Sequence, residues 1–145
     1  MTLTDSYKTY VIEEKEDQTM SIEKNNDVQL YTVLESINEL TNDSMCILNH
    51  LFVNEGNEPQ FESKFLKRTK YLQDVPGFKA LRFLRPQTKH RHYIILTLWK
   101  DRQSFYDWQS SDAYGKTHKK RGTKQGVDNK IVNRDLSYNV RIELA

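Results

Sequence analysis

Residues 78–108 read FKALRFLRPQTKHRHYIILTLWKDRQSFYDW, and this stretch decides the fold. Phe78–Arg85 and Tyr93–Trp99 are short runs rich in apolar and β-branched residues, a composition typical of strands. The polar link Pro86–Arg91 joins them. The sequence therefore predicts an antiparallel β-hairpin at the centre of the domain.

Apolar spacing on either side of this hairpin predicts the remaining elements. Asp101–Trp108 and Gln60–Leu72 carry apolar residues at helical spacing, and Asp101 is positioned to cap the first of these helices. Met45–Val53 and Leu136–Leu144 are interpreted as strands. Along the second, Leu136, Tyr138, Val140 and Ile142 are predicted to face inward and to alternate with Ser137, Asn139, Arg141 and Glu143. The order β-α-β-β-α-β predicts a ferredoxin-like α+β domain, with two helices on one face of an antiparallel sheet.

The chain before Met45 is acidic and rich in asparagine, and we predict an N-terminal β-rich extension there. We divide the chain into an extension over residues 1–44, which packs on the sheet, and a ferredoxin-like domain over residues 45–145. Tyr93–Trp99 is apolar on both faces, so the sheet face away from the helices must also be covered. Either the extension or a second subunit covers it. The strand-like runs of the extension are Tyr7–Ile12, Thr19–Ile22 and Gln29–Leu34.

The composition of the 145 residues excludes several classes of protein. Hydrophobic residues make up 37% and charged residues 29%, which is polar but sufficient for a folded core. The net charge of +2 is too small for a dedicated nucleic-acid-binding protein. We expect neither a standard export signal nor a membrane span, because no apolar run is long enough. The single Cys46 forms no internal disulfide, which fits a reducing cytoplasm.

Asn49 is the first candidate functional residue. On a strand it shares its face with Ile47, Leu51 and Val53, whereas His50 points to the other face. An amide among aliphatic side chains requires a hydrogen-bonding partner. From this pattern alone, a nearby loop that satisfies the amide and a functional role for it are both open.

Trp108 and His118 are the other two candidates. In one straight helix they would lie about 80° apart around the axis and about 15 Å apart along it, too far for one small site. Ser110–Asp112 offers a break and a new N-cap, so a second short helix can carry His118 back toward a pocket. His118 then becomes a candidate axial ligand for iron. The alternatives are core packing for Trp108 and a surface position for His118.

The remaining histidines and the basic residues do not by themselves indicate a functional site. His90 and His92 lie at the predicted hairpin tip, and no nearby cysteine or carboxylate completes a metal site. The sequence contains no covalent haem-attachment motif, phosphate-binding glycine loop or nucleophile elbow. A basic cluster surrounds His118, either as a solvated loop or as contacts for the carboxylates of an anionic ligand. Nucleic acid is the third choice, because the stretch lacks the interleaved aromatic residues of a stacking platform. This cluster consists of Lys116, Lys119, Lys120, Arg121 and Lys124.

Two stretches together resemble a known family. They are NHLFV at residues 49–53 and TLWKDRQSFYDWQSSDAYGKTH at residues 97–118. They resemble the Isd-type haem-degrading monooxygenases of Gram-positive bacteria, which belong to the antibiotic biosynthesis monooxygenase (ABM) superfamily. The resemblance covers about Met45–Ala145, and its most specific part is the spacing of nine residues between Trp108 and His118.

The resemblance implies roles for three residues that both bind haem and take part in catalysis. His118 would ligate the haem iron as the axial ligand on the proximal side. Asn49 would lie on the distal side and donate a hydrogen bond to dioxygen bound there. Trp108 would press on the porphyrin face and distort it from planarity.

The resemblance also implies an activity. A haem-degrading monooxygenase uses haem as substrate and cofactor together, takes dioxygen and electrons from an external reductase, opens the porphyrin ring and releases iron for iron acquisition. The extension is similar to that of the longer haem monooxygenase B group. Because some extended relatives are described as stress or signalling proteins, the alternative is a non-catalytic haem-binding or regulatory protein. Short members form dimers whose sheets meet face to face, so a monomer and a homodimer are both open here.

Overall fold

The computed structural model describes residues 2–4, 9–41, 45–89, 91–110 and 131–143. Residues 45–143 contain the predicted order β-α-β-β-α-β, and four further strands precede it. The elements are β1 (Thr2–Thr4), β2 (Thr9–Lys15), β3 (Thr19–Lys24), β4 (Asp27–Ile37), β5 (Met45–Val53), α1 (Glu58–Thr69) with a 3-10 turn (Lys70–Asp74), β6 (Phe78–Pro86), β7 (Tyr93–Trp99), α2 (Arg102–Gln109) and β8 (Val132–Glu143).

One antiparallel sheet runs through the described part of the chain, in the strand order β1-β2-β3-β4-β6-β7-β5-β8. The segment β6-β7-β5-β8 has the ferredoxin-like arrangement, with β7 and β5 paired at its centre. Strand β4 pairs with β6, so the N-terminal strands continue the same sheet. The predicted fold class is therefore confirmed, whereas the division of the chain at residue 44 stays a prediction.

Strand β7 separates two buried clusters, because every one of its residues is buried. Tyr93, Ile95 and Trp99 face the helices and pack with residues of α1 and α2. Ile94, Leu96 and Leu98 face the other way. There they pack with side chains from the N-terminal strands, so the chain itself covers this face. Those side chains are Tyr10, Ile12, Met20, Ile22 and Tyr31.

A buried arginine joins the N-terminal strands to the ferredoxin-like part. Arg82 on β6 is only 5% exposed, and its Nε donates to Oε1 of Glu14 on β2 at 2.7 Å. Its Nη1 donates to the carbonyl oxygens of Ile37 and Asn38 at 3.3 and 2.7 Å. A buried charge is tolerated only when it is paired and hydrogen-bonded, so these contacts hold β2, β6 and the end of β4 in one arrangement.

The two helices begin where the sequence provides a suitable first turn. Helix α1 begins at Glu58, two residues before the predicted start, because Pro59 is tolerated in a first turn whose N–H groups lack helical partners. Helix α2 follows Asp101, whose Oδ1 accepts a hydrogen bond from the Ser104 N–H at 2.8 Å. The predicted aspartate cap is therefore confirmed. No helix among the described residues is long and apolar enough to cross a membrane.

Strand β8 begins at Val132, four residues before the predicted start. Its pairing with β5 shifts in register between His50 and Phe52, which leaves extra residues on β8 in a bulge. Within the bulge the Ser137 hydroxyl accepts a hydrogen bond from the Phe52 N–H at 3.0 Å. Strict alternation predicts an inward Leu136, and this is wrong: Leu136 lies in the bulge and is 50% exposed.

Candidate functional site

Asn49 lies near the middle of β5, opposite Ile95 on β7 and Asn139 on β8. Its neighbours on the same face, Ile47 and Leu51, belong to the buried cluster under the helices. The predicted face is thus confirmed. Asn49 is half-buried, and within the described ranges its carboxamide makes no hydrogen bond. A polar group in this position is available to a bound ligand.

Trp108 lies at the end of α2 and is partly buried. Its ring is 5.3 Å from that of Trp99 and 6.2 Å from that of Phe105, measured between ring centroids. The indole also lines a cleft of about 510 Å³ together with Tyr71 and Val75. Core packing therefore holds Trp108 in place, while part of its surface remains available to a ligand.

The loop before β6 forms one wall of this cleft through a close approach to α2. Gly77 has φ +83°, and a Cβ at this position would clash with the Ser104 side chain. The Lys100 N–H donates to the Gly77 carbonyl oxygen at 2.7 Å. Glycine is required here both for its backbone conformation and for its lack of a side chain.

The described structure brings Asn49 and Trp108 to the same face of the sheet. Trp108 packs on Trp99, which lies opposite Met45, four residues along β5 from Asn49. Four residues of strand span about 13 Å. His118 lies outside the described residues, as do the basic cluster around it and the predicted short helix. The three-residue site therefore stays a prediction.

Two polar residues of β8 also lie on this face, and the sequence pattern misplaces them. Alternation along β8 predicts that Asn139 and Arg141 point away from the core. In the structure Asn139 lies opposite Asn49, and the Arg141 guanidinium lies 5.1 Å from the Phe105 ring of α2. The alternation of polar and apolar residues distinguishes the two faces of β8. It does not show that the polar face, which carries Asn139 and Arg141, lies on the side of the sheet where the helices pack.

Comparisons with known proteins give the family of the chain. The sequence profile of the antibiotic biosynthesis monooxygenase family matches residues 44–120, more than half of the chain. The chain belongs to the antibiotic biosynthesis monooxygenase family. It is 35% identical over 99 residues to haem oxygenase (staphylobilin-producing) 1 of Staphylococcus aureus strain Newman. The aligned stretch covers 62% of this chain and 91% of that protein.

Solved structures also share the fold of this ABM chain. A major regulator of staphylococcal pathogenesis superposes with a TM-score of 0.77 at 20% identity, over 100% of this chain and 84% of that one. A haem-degrading enzyme from Listeria monocytogenes superposes with a TM-score of 0.61 at 12% identity, over 94% of this chain and 84% of that one. At these identities the likeness establishes the fold alone.

The ABM chain carries a polar network that sequence spacing did not reveal. Arg85 on β6 donates from Nε and Nη2 to the two carboxylate oxygens of Glu62 on α1, at 2.9 and 2.6 Å. The Tyr93 hydroxyl donates to the same carboxylate at 2.5 Å. Burial alone would raise the pKa of Glu62, but hydrogen bonds from Arg85 and Tyr93 outweigh it and lower that pKa. Glu62 therefore stays ionised at neutral pH.

On the opposite face of the sheet, His50 and His92 lie in an aromatic cluster. The His50 ring is buried and stacks on Tyr138 with centroids 4.3 Å apart, and the His92 ring lies 6.1 Å from it. Nε2 of His92 donates to the Leu136 carbonyl oxygen at 2.6 Å. Among the described residues, no group of three or more His, Cys, Asp or Glu side chains could hold a metal ion. His90 lies outside those residues.

Cys46 is buried in the cluster that joins β5 to the N-terminal strands. Burial raises the pKa of its thiol to about 12. The thiol is therefore protonated at neutral pH, and Cys46 acts as a small apolar residue of the core.

Proposed function

We propose that this ABM chain is a haem-degrading monooxygenase, an oxidoreductase that opens the porphyrin ring of haem and releases the iron. The observation that carries the proposal is the 35% identity to a staphylococcal haem oxygenase across 91% of that protein. Dioxygen would be the oxidant, and an external reductase would supply the electrons. Haem would be both the substrate and the group at which the reaction takes place.

The described residues fit a flat ligand that is mostly apolar and carries acidic groups. The helix side of the sheet offers an apolar floor, the half-buried amide of Asn49 and the indole of Trp108. Arg141 adds a cation at the open edge of the sheet. When bound, haem supplies the iron chemistry that activates dioxygen. We propose that the imidazole of His118 would hold that iron.

Asn49 suits a distal role because an amide donates a hydrogen bond without releasing a proton. Its side chain makes no hydrogen bond within the described ranges, so ligand binding would break none. Its position on β5, between two paired strands, fixes the direction of the donor. We propose that Asn49 would donate a hydrogen bond to dioxygen and orient it when haem is bound.

Trp108 suits a role in shaping the porphyrin because its own position is constrained. The rings of Trp99 and Phe105 pack against it at interplanar angles of 30° and 39°. A side chain wedged in this way can press on a bound ring without moving aside. We propose that Trp108 distorts the porphyrin and thereby favours attack at one ring position.

A haem titration followed by a reductant tests the proposal. The full chain should give a saturable shift of the Soret band, and ascorbate with catalase present should then bleach that band and release iron. His118→Ala should abolish the bleaching. Bleaching that is unchanged in His118→Ala would contradict the proposal, because the reaction would then not need this site. Bleaching that catalase suppresses completely would also contradict it, because free peroxide would then be the oxidant.

A second candidate function is haem-dependent regulation without turnover. The observation that favours it is the match of the whole chain, N-terminal strands included, to a staphylococcal regulator. A regulator of this kind should form a haem complex that persists under the same reductant. An interaction domain that does not use haem should show no Soret shift, so one titration separates all three functions.

A further inference from the structure

Arg141 is a charged residue of the helix side of the sheet to which the proposed function assigns no specific contact. It lies on the edge strand β8, opposite Ile47, one step along the same face from the Asn49–Asn139 pair. Diagonal neighbours on one face of an antiparallel pair lie about 7–8 Å apart. Arg141 and Asn49 are therefore close enough to contact one ligand.

Neutral groups hold the Arg141 side chain in place. Its Nε donates to Oδ1 of Asn139 at 3.4 Å, and its Nη1 lies 3.5 Å from the Tyr106 hydroxyl oxygen. The guanidinium lies 5.1 and 5.7 Å from the ring centroids of Phe105 and Tyr106. Aromatic faces attract a cation and also orient its planar fork.

The charge of Arg141 remains available for an anion. The residue is exposed, and within the described ranges no carboxylate lies in salt-bridge contact with it. An oriented guanidinium without a carboxylate partner is suited to a bidentate contact with a carboxylate of a ligand. By contrast, Arg85 on the same face already makes a bidentate contact with the Glu62 carboxylate through Nε and Nη2.

We infer that Arg141 binds a carboxylate side group of the porphyrin that occupies the face of Asn49 and Trp108. The inference rests on the proposed function, because it takes haem as the ligand. It assigns one acidic edge of the porphyrin to the β8 edge of the sheet. Arg141 would thus set the orientation of the ring and thereby the position that faces Asn49.

The test compares haem with its dimethyl ester, in which both carboxylates are blocked. Affinities are measured for the full chain by Soret titration and by quenching of tryptophan fluorescence. Arg141→Gln should weaken haem binding about tenfold, the range for loss of one charge-assisted hydrogen-bonded contact, and should leave the affinity for the ester unchanged. Arg141→Lys should fall between the parent and Arg141→Gln, because it keeps the charge but loses the fork.

A control variant and a structural alternative complete the design. Lys15→Gln removes a cation from β2, outside the helix side of the sheet, and should change neither affinity. If Arg141 only fastens β8 to α2, Arg141→Gln will weaken haem and its ester equally, which would overturn the inference. Unchanged haem affinity in Arg141→Gln would overturn it too.

The outcome also separates this inference from the proposed function. A parent chain that degrades haem while Arg141→Gln binds it normally contradicts the inference alone. A parent chain that binds haem more tightly than Arg141→Gln but never degrades it contradicts the proposed function alone. A parent chain that does not bind haem contradicts both.

Discussion

At the scale of the residue, the decisive feature is an amide on an apolar face. Asn49 stands out in the sequence because aliphatic residues surround it on its face, and the structure confirms that face. Arg141 could not be assigned in the same way, since its polar strand pattern is also typical of a solvent-facing edge. The contacts of Glu62 with Arg85 and Tyr93 join residues 23 and 31 positions apart, so no local pattern reveals them.

Asn49→Ala should keep haem affinity close to that of the parent and lose most of the degradation activity. The amide makes no hydrogen bond within the described ranges, so its removal should also leave the thermal midpoint nearly unchanged. Soret titration and the rate of bleaching under reductant measure the two effects separately. Gln29→Ala, which removes an amide from β4, serves as the control and should bleach haem at the parent rate. Normal turnover by Asn49→Ala would contradict the proposed role of Asn49 as a hydrogen-bond donor to dioxygen.

Glu62→Gln should destabilise the fold by about 1–2 kcal/mol at neutral pH, because it weakens charge-assisted hydrogen bonds from Arg85 and Tyr93. The folded-state pKa of Glu62 lies below its ordinary value, so its contribution is complete above that ordinary value. The contribution is lost as the pH falls through the folded-state pKa. Urea unfolding of parent and variant should show a difference at pH 7 that diminishes as the pH falls below the ordinary pKa of a glutamate. A difference independent of pH would contradict this account.

At the scale of the element, the strands with two buried faces are the best predicted. The observed bounds of β5 and β7 coincide with the predicted ones because their apolar runs are continuous and end sharply. The predicted start of the edge strand β8 lies four residues after the observed one, because the bulge interrupts the alternation. Its bulge depends on hydrogen bonds with β5, which the sequence of β8 alone does not show.

Gly77→Ala should destabilise the chain more than Gly56→Ala does. Both glycines have positive φ, +83° and +90°, so both substitutions bear the backbone cost of about 1 kcal/mol. Only Gly77 faces a close neighbour, Ser104 of α2, whereas a Cβ at Gly56 meets open space. The additional loss at Gly77 should be about 1–3 kcal/mol by chemical denaturation. Equal losses of stability in the two variants would contradict this prediction, because they would show that Ser104 and α2 shift away from the added methyl group without destabilising the fold.

At the scale of the whole molecule, the N-terminal strands complete the core of the ABM fold. They bury the apolar far side of β7 and β5, and the contact between Arg82 and Glu14 fixes β2 against β6. In the short members of the family that the sequence resembles, two sheets meet face to face in a dimer. The extended chain covers this side of the sheet from within, so no partner is needed to bury it.

The full chain should therefore be a monomer in solution. Sedimentation at micromolar concentrations should give a mass near the 17.2 kDa of one chain. The same value is expected with and without haem, because the proposed haem site lies on the helix side of the sheet. A stable dimer at these concentrations would show that another surface of the chain pairs.

Iron release from haem tests the central claim most directly. The full chain is loaded with one equivalent of haem and given ascorbate, dioxygen and catalase, and a ferrous-iron chelator reports the free metal. We predict nearly stoichiometric iron release that follows the loss of the Soret band, and neither change in His118→Ala. A haem complex that keeps its Soret band and its iron under these conditions would contradict the assignment of this chain as a haem-degrading monooxygenase.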